Sequence, residues 1–183
     1  TGWGDPSYHN SDLSNLYNID PTFVFSINCQ TGAFDASSEC FAEAFHRHQY
    51  GALGIIAATA NSYSFVNDAF VWGMYDYMWP DFDPGYGYTG EHTLMPCFAN
   101  MSGKYYLQAS AFPYNSSSKA VTYHLFHHHG DAFTTVYSEV PQSLTVSHDL
   151  ALYSGVTFFT VTANPGATIA LTRNDEILAV AEG

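Results

Sequence analysis

A chain of 183 residues that is 46% apolar and 17% aromatic has material for one packed domain with a small companion, and is too apolar to be disordered. Four basic residues stand against seventeen acidic ones, a net charge of −13, which repels phosphate and argues against nucleic acid or an anionic membrane surface as partner. No run of about 18 apolar residues occurs, so no membrane-spanning helix is expected.

The chain opens Thr1-Gly2-Trp3-Gly4-Asp5-Pro6, with neither a basic start nor an apolar run. No signal peptide is read there, and a mature form or a fragment is expected. Residues 1–22 are loop-like, with a turn of helix suggested by Leu13, Leu16 and Ile19. Phe23-Val24-Phe25-Ser26-Ile27-Asn28-Cys29 is β-branched and aromatic, too short for a helix and apolar enough for a buried strand. Ser37 and Ser38 are placed to cap a helix over 39–49, whose apolar face is Cys40, Phe41, Ala44 and Phe45. Residues 52–59 form a second unbroken apolar strand. Strand, helix and strand, with both strands apolar throughout, predict a βαβ unit in a parallel sheet flanked by helices.

Further helices are predicted over 67–79, stopped by Pro80, and over 93–112 and 118–127. After Asp131 the period changes. Residues 142–147, 156–162, 167–173 and 176–181 alternate as strands, and Asn174-Asp175 supplies a two-residue hairpin turn. The domains expected are therefore an α/β part over 1–140 and a short all-β part over 141–183.

Cys29 is the sharpest candidate site. It lies at the carboxyl end of a buried parallel strand, where open α/β sheets place their ligands. Gln30-Thr31-Gly32 then supplies a turn whose backbone N–H groups can approach a reacting oxygen. A thiol there is a nucleophile if a base is near; the competing reading is a small buried hydrophobe. The cysteines number three (Cys29, Cys40 and Cys97), so at least one thiol is free unless chains pair. His127-His128-His129 marks a predicted helix end, where histidine suits the dipole; His124 and His128 form a helical pair that could hold a metal. Asp81, Asp83 and Glu91 offer oxygen ligands for calcium without the spacing of a known calcium loop. Tyr63, Phe65, Tyr75, Tyr77 and Tyr86 either line an aromatic pocket or, at helical spacing, belong to the core. Asn100-Met101-Ser102 and Asn115-Ser116-Ser117 have the form of glycosylation acceptors, a pattern frequent by chance.

Three stretches resemble one family: Phe25-Ser26-Ile27-Asn28-Cys29-Gln30-Thr31-Gly32-Ala33-Phe34, Cys40-Phe41-Ala42-Glu43-Ala44-Phe45, and Gly54-Ile55-Ile56-Ala57-Ala58-Thr59-Ala60-Asn61-Ser62. They are similar to the nucleophile block of the gingipains, secreted caspase-like cysteine endopeptidases of Bacteroidetes-type bacteria. The resemblance implies a partial caspase-like domain followed by a partial immunoglobulin-like β-sandwich, with peptide or protein substrates and no required cofactor. It implies that Cys29 is the nucleophile, that Ile27 walls the primary specificity pocket, and that Tyr63 or Ser64 lines it, Tyr63 being the chemically sensible choice. Trp3-Gly4 resembles the end of the loop that carries the family's catalytic histidine in a Gly-His-Gly motif. That motif is not in this chain, and His9 does not match it. The general base is therefore expected from outside these residues, and the pocket carboxylate that sets basic specificity has no counterpart here. The other reading is a non-catalytic, peptidase-derived fragment that adheres or self-assembles, through open β-strand edges, into filaments. The strands after Pro141 number four where a sandwich takes about seven, so homo-assembly by strand addition, or completion by further chain, is expected.

Overall fold

The computed structural model describes residues 2–82, 92–111 and 116–183. The chain divides into two units, Thr1–Tyr137 and Ser138–Gly183.

In the first unit, β1 (Gly2–Trp3) and β2 (Tyr8–His9) form a short antiparallel hairpin, followed by a 3-10 turn at Asn10–Asn15. The sheet consists of β3 (Thr22–Ser26), β4 (Ala52–Ala58) and β5 (Phe126–His129), in the order β3-β4-β5. As the apolar runs predict, β3 and β4 pair in parallel, Val24 opposite Ile55 and Ser26 opposite Ala57. Between them runs α1 (Phe41–Arg47). It starts two residues later than the sequence suggests. Cys40, not Ser37 or Ser38, is its N-cap, and the Cys40 N–H donates to Glu43 Oε2 at 2.9 Å.

Successive residues of β4 face opposite sides and are buried on both. Ile55 and Ala57 pack with Val24, Phe41, Ala42, Phe45 and Leu13. Ile56 and Ala58 pack with Val66, Phe70, Met74, Leu107 and Phe126. The second group comes largely from α2 (Ser64–Met78), α3 (Pro96–Ala109) and α4 (Ser116–Leu125). Where α2 meets α3 the backbones approach through Gly73 and Gly103. A Cβ on Gly73 would lie 2.2 Å from Tyr106 Cβ, and one on Gly103 would lie 2.6 Å from the Phe70 carbonyl oxygen.

The histidine triplet is not a helix end. α4 stops at Leu125, and Phe126–His129 runs antiparallel to β4, with His127 opposite Ala57 and His129 opposite Ile55. The sheet is therefore mixed. Long-range pairing with β4 outweighs the helical reading of a short polar run. Phe126 stacks on Phe70 at 4.6 Å, and His128 stacks on Phe23 at 5.5 Å. His127 and His129 meet Phe34 at 5.5 and 6.0 Å. Burial holds the His128 and His129 rings below the ordinary histidine range.

The second unit holds two antiparallel ladders: β6 (Ser147–His148) with β7 (Val161–Thr162), and β8 (Thr168–Arg173) with β9 (Glu176–Glu182). Asn174 and Asp175 take φ of 50° and 64°, the two left-handed residues of the expected hairpin turn. The first two alternating runs form only two-residue strands. None of residues 138–183 is buried. A cleft of about 710 Å³ is lined by Val146, Phe159, Val161, Ile169, Leu171 and Val180 among others.

Candidate active site

Cys29 follows the end of β3 by three residues, at the carboxyl end of the parallel pair, and its side chain is exposed. The turn after it is tied down on several sides. Gln30 adopts φ of 59°, and its N–H donates to Ala60 O at 3.1 Å. The Gly32 N–H donates to Ala58 O at 2.9 Å. A Cβ at Gly32 would come within 2.9 Å of Ala57 Cβ, so glycine lets the turn lie against β4. Thr31 is buried, and its carbonyl accepts the Ala42 N–H at 2.8 Å, joining the turn to α1. Beneath it, Trp3 Nε1 donates to Ser26 Oγ at 2.9 Å, and Ser26 Oγ donates to Thr31 Oγ1 at 2.9 Å.

The thiol faces one neighbour from 33 residues away. Cys29 Sγ lies 3.3 Å from the Ser62 N–H nitrogen, 3.5 Å from its carbonyl oxygen and 3.6 Å from its hydroxyl. Asn67 Nδ2 donates to that hydroxyl at 2.8 Å. Neither Ser62 nor Asn67 stands out in the sequence, because the contact depends on the fold.

Among the described residues no histidine is hydrogen-bonded to Cys29. His9 pairs with Ser7 Oγ at 2.7 Å, and His46 Nδ1 with Ala52 O at 3.1 Å. Ile27 is half-buried against the sheet core. Tyr63 follows Ser62 directly, is 43% exposed and caps α2, its carbonyl accepting the N–H groups of Val66 and Asn67. Ser64 is the first residue of α2.

Among the described residues the aromatic side chains named above do not form one pocket. Tyr63 and Phe65 are exposed, Tyr77 is in the core, and Tyr75 packs on Phe25 at 6.1 Å; Tyr86 lies outside the described residues. His124 lies in α4 and His128 in β5, so the helical metal pair does not form. Among the described residues no group of three or more His, Cys, Asp or Glu is placed to hold a metal. Asp83 and Glu91 of the calcium reading, and Asn115 of the second glycosylation pattern, lie outside the described residues.

The family model of peptidase family C25 matches residues 1–137. The chain belongs to peptidase family C25. This C25 chain has a caspase-like fold, similar to three solved structures along its whole length. One is the Arg-specific cysteine proteinase gingipain R, with TM-score 0.75 and 22% identity. Another is the complex of the Porphyromonas gingivalis RgpB pro- and mature domains, with TM-score 0.76 and 21% identity. A third, a protease, has TM-score 0.73 and 20% identity. The C25 chain covers 42%, 43% and 43% of these chains, less than half of their length. No curated protein matches it. Its described residues contain no helix long and apolar enough to cross a membrane.

Proposed function

We propose that this C25 chain carries the nucleophile of a secreted, gingipain-like cysteine endopeptidase, and that Cys29 is that nucleophile. The observation that carries the reading is an exposed thiol on a rigid turn at the carboxyl end of the parallel pair, inside the segment that matches the peptidase family. The Cys29 thiolate attacks a peptide carbonyl, and the carbonyl oxygen becomes an oxyanion. No backbone hydrogen bond engages the Cys29 N–H among the described residues, which leaves it to hold that oxygen. A histidine outside this chain takes the thiol proton and returns it to the leaving amine. Water then releases the acyl group from Cys29. Ile27 and Tyr63 wall the pocket for the residue before the scissile bond. This chemistry needs no cofactor; calcium on Asp81, Asp83 and Glu91 would be a structural addition.

The test is a thiol-reactive peptide probe and a peptide substrate, applied to the chain together with the segment that supplies the histidine. Labelling and hydrolysis should be lost in Cys29→Ala and kept in Cys97→Ala. An inert Cys29 in that setting sinks the reading.

One observation favours the second reading, a non-catalytic chain that self-assembles. All seven residues of β9 are exposed, Ile177, Leu178 and Val180 among them. Strand addition there would give chains or filaments visible by light scattering or electron microscopy. A monomer at high concentration counts against it.

A further inference from the structure

Resting on the reading of Cys29 as nucleophile, we infer that Ser62 is a catalytic residue that donates two hydrogen bonds to the Cys29 thiolate, and that Asn67 is the positioning residue that aims the second of them. The first donor is fixed: the Ser62 N–H nitrogen lies 3.3 Å from Sγ and is part of the backbone. The second is the hydroxyl, 3.6 Å from Sγ. A serine hydroxyl has one proton and two lone pairs. Asn67 Nδ2 can only donate, so at 2.8 Å it occupies a lone pair and leaves the proton free to turn to sulfur. Asn67 lies in the first turn of α2. It is 4% exposed, and its N–H donates to Tyr63 O at 2.8 Å.

The same residue serves both states of the sulfur. The neutral thiol donates to the Ser62 carbonyl oxygen at 3.5 Å. Once the proton has left, sulfur becomes an acceptor, and the N–H and hydroxyl of Ser62 meet the negative charge. Hydrogen bonds to a charged group are stronger than those to a neutral one. The pair therefore favours the thiolate over the thiol, which is the reactive form.

The experiment is iodoacetamide alkylation of the 183-residue chain, with the Cys29 adduct followed by mass spectrometry at about pH 6.5 and about pH 10. Ser62→Ala should slow alkylation about fivefold at the lower pH and leave it unchanged at the higher, where bulk base supplies the thiolate without help from a hydrogen bond. Ser62→Thr keeps a hydroxyl and should restore the rate. Asn67→Ala should slow alkylation in the same sense by a smaller factor. An unchanged or faster rate in Ser62→Ala at the lower pH overturns the inference, as does equal slowing at both pH values or failure of threonine to rescue. Peptide hydrolysis is a separate readout. If it is absent while the Ser62 effect is present, the endopeptidase reading fails and the thiolate contact stands.

Discussion

β4 and β9 are each seven residues long, and both are rich in apolar side chains, yet six of the seven residues are buried in β4 and none in β9. The difference is in the neighbours. β4 has a strand on each edge, α1 on one face and the helices α2 to α4 on the other. β9 has one partner, β8, and no helix in its unit. Hydrophobic residues alone do not make a core; they need a second layer. A two-stranded hairpin without one is marginal in water.

The largest expected effect comes from breaking the better-packed strand system. Phe126 is fully buried and stacked on Phe70. Phe126→Ala should destabilise the first unit by about 3–5 kcal/mol in denaturant titration, whereas Leu171→Ala in β8 should cost well under about 1 kcal/mol. Equal losses in the two units would erase the contrast. Gly103→Ala should follow, at about 1–3 kcal/mol, because its new Cβ meets the Phe70 carbonyl oxygen at 2.6 Å, a backbone atom that cannot swing away. Cys40→Ala should cost about 1 kcal/mol or somewhat more, since the thiol is 1% exposed beneath the sheet, and Cys29 labelling should persist. Loss of labelling in that variant counts against Cys29.

The smallest effect sharpens the comparison through pH. Burial favours the neutral rings of His128 and His129, with Asp131 facing the first and Glu43 the second, and with His127 and His46 adding like charge. The unfolded chain takes up protons on these rings at higher pH than the folded one does. Stability is therefore complete above the ordinary histidine range and is lost as pH falls through it. The melting temperature of the first unit should drop between about pH 7.5 and about pH 5.5, and drop less when His128 and His129 are both replaced by Gln. An equal drop in that variant would place the proton uptake elsewhere.

Much of this contrast is legible in the amino-acid order. The apolar runs before Cys29 and from Ala52 give the parallel pair, and they put Cys29 at its carboxyl end. Asn174-Asp175 gives the hairpin. Phe126-His127-His128-His129 was misleading, because four residues after a helix carry no period of their own and the decisive partner, β4, is about 70 residues earlier. Ser62 and Asn67 were silent for the same reason. A serine and an asparagine gain meaning only when the turn after β4 is brought against the turn after β3. In the second unit the alternation of 142–147 and 156–162 promised longer strands than the two-residue β6 and β7. Alternation records which faces differ, not whether a partner is there to pair with.

The line from Trp3 through Ser26 to Thr31 also gives the molecule an optical signal. Trp3 is half-buried between Tyr8 and Phe41, at 5.8 and 5.4 Å, while Trp72 and Trp79 are 41% and 38% exposed. An indole shielded from water emits at shorter wavelength than one in contact with it. The blue edge of the fluorescence should therefore come from Trp3, whose ring nitrogen is two hydrogen bonds from the turn under Cys29. Light emitted at that edge is a label-free gauge of whether the floor of the thiol turn is intact.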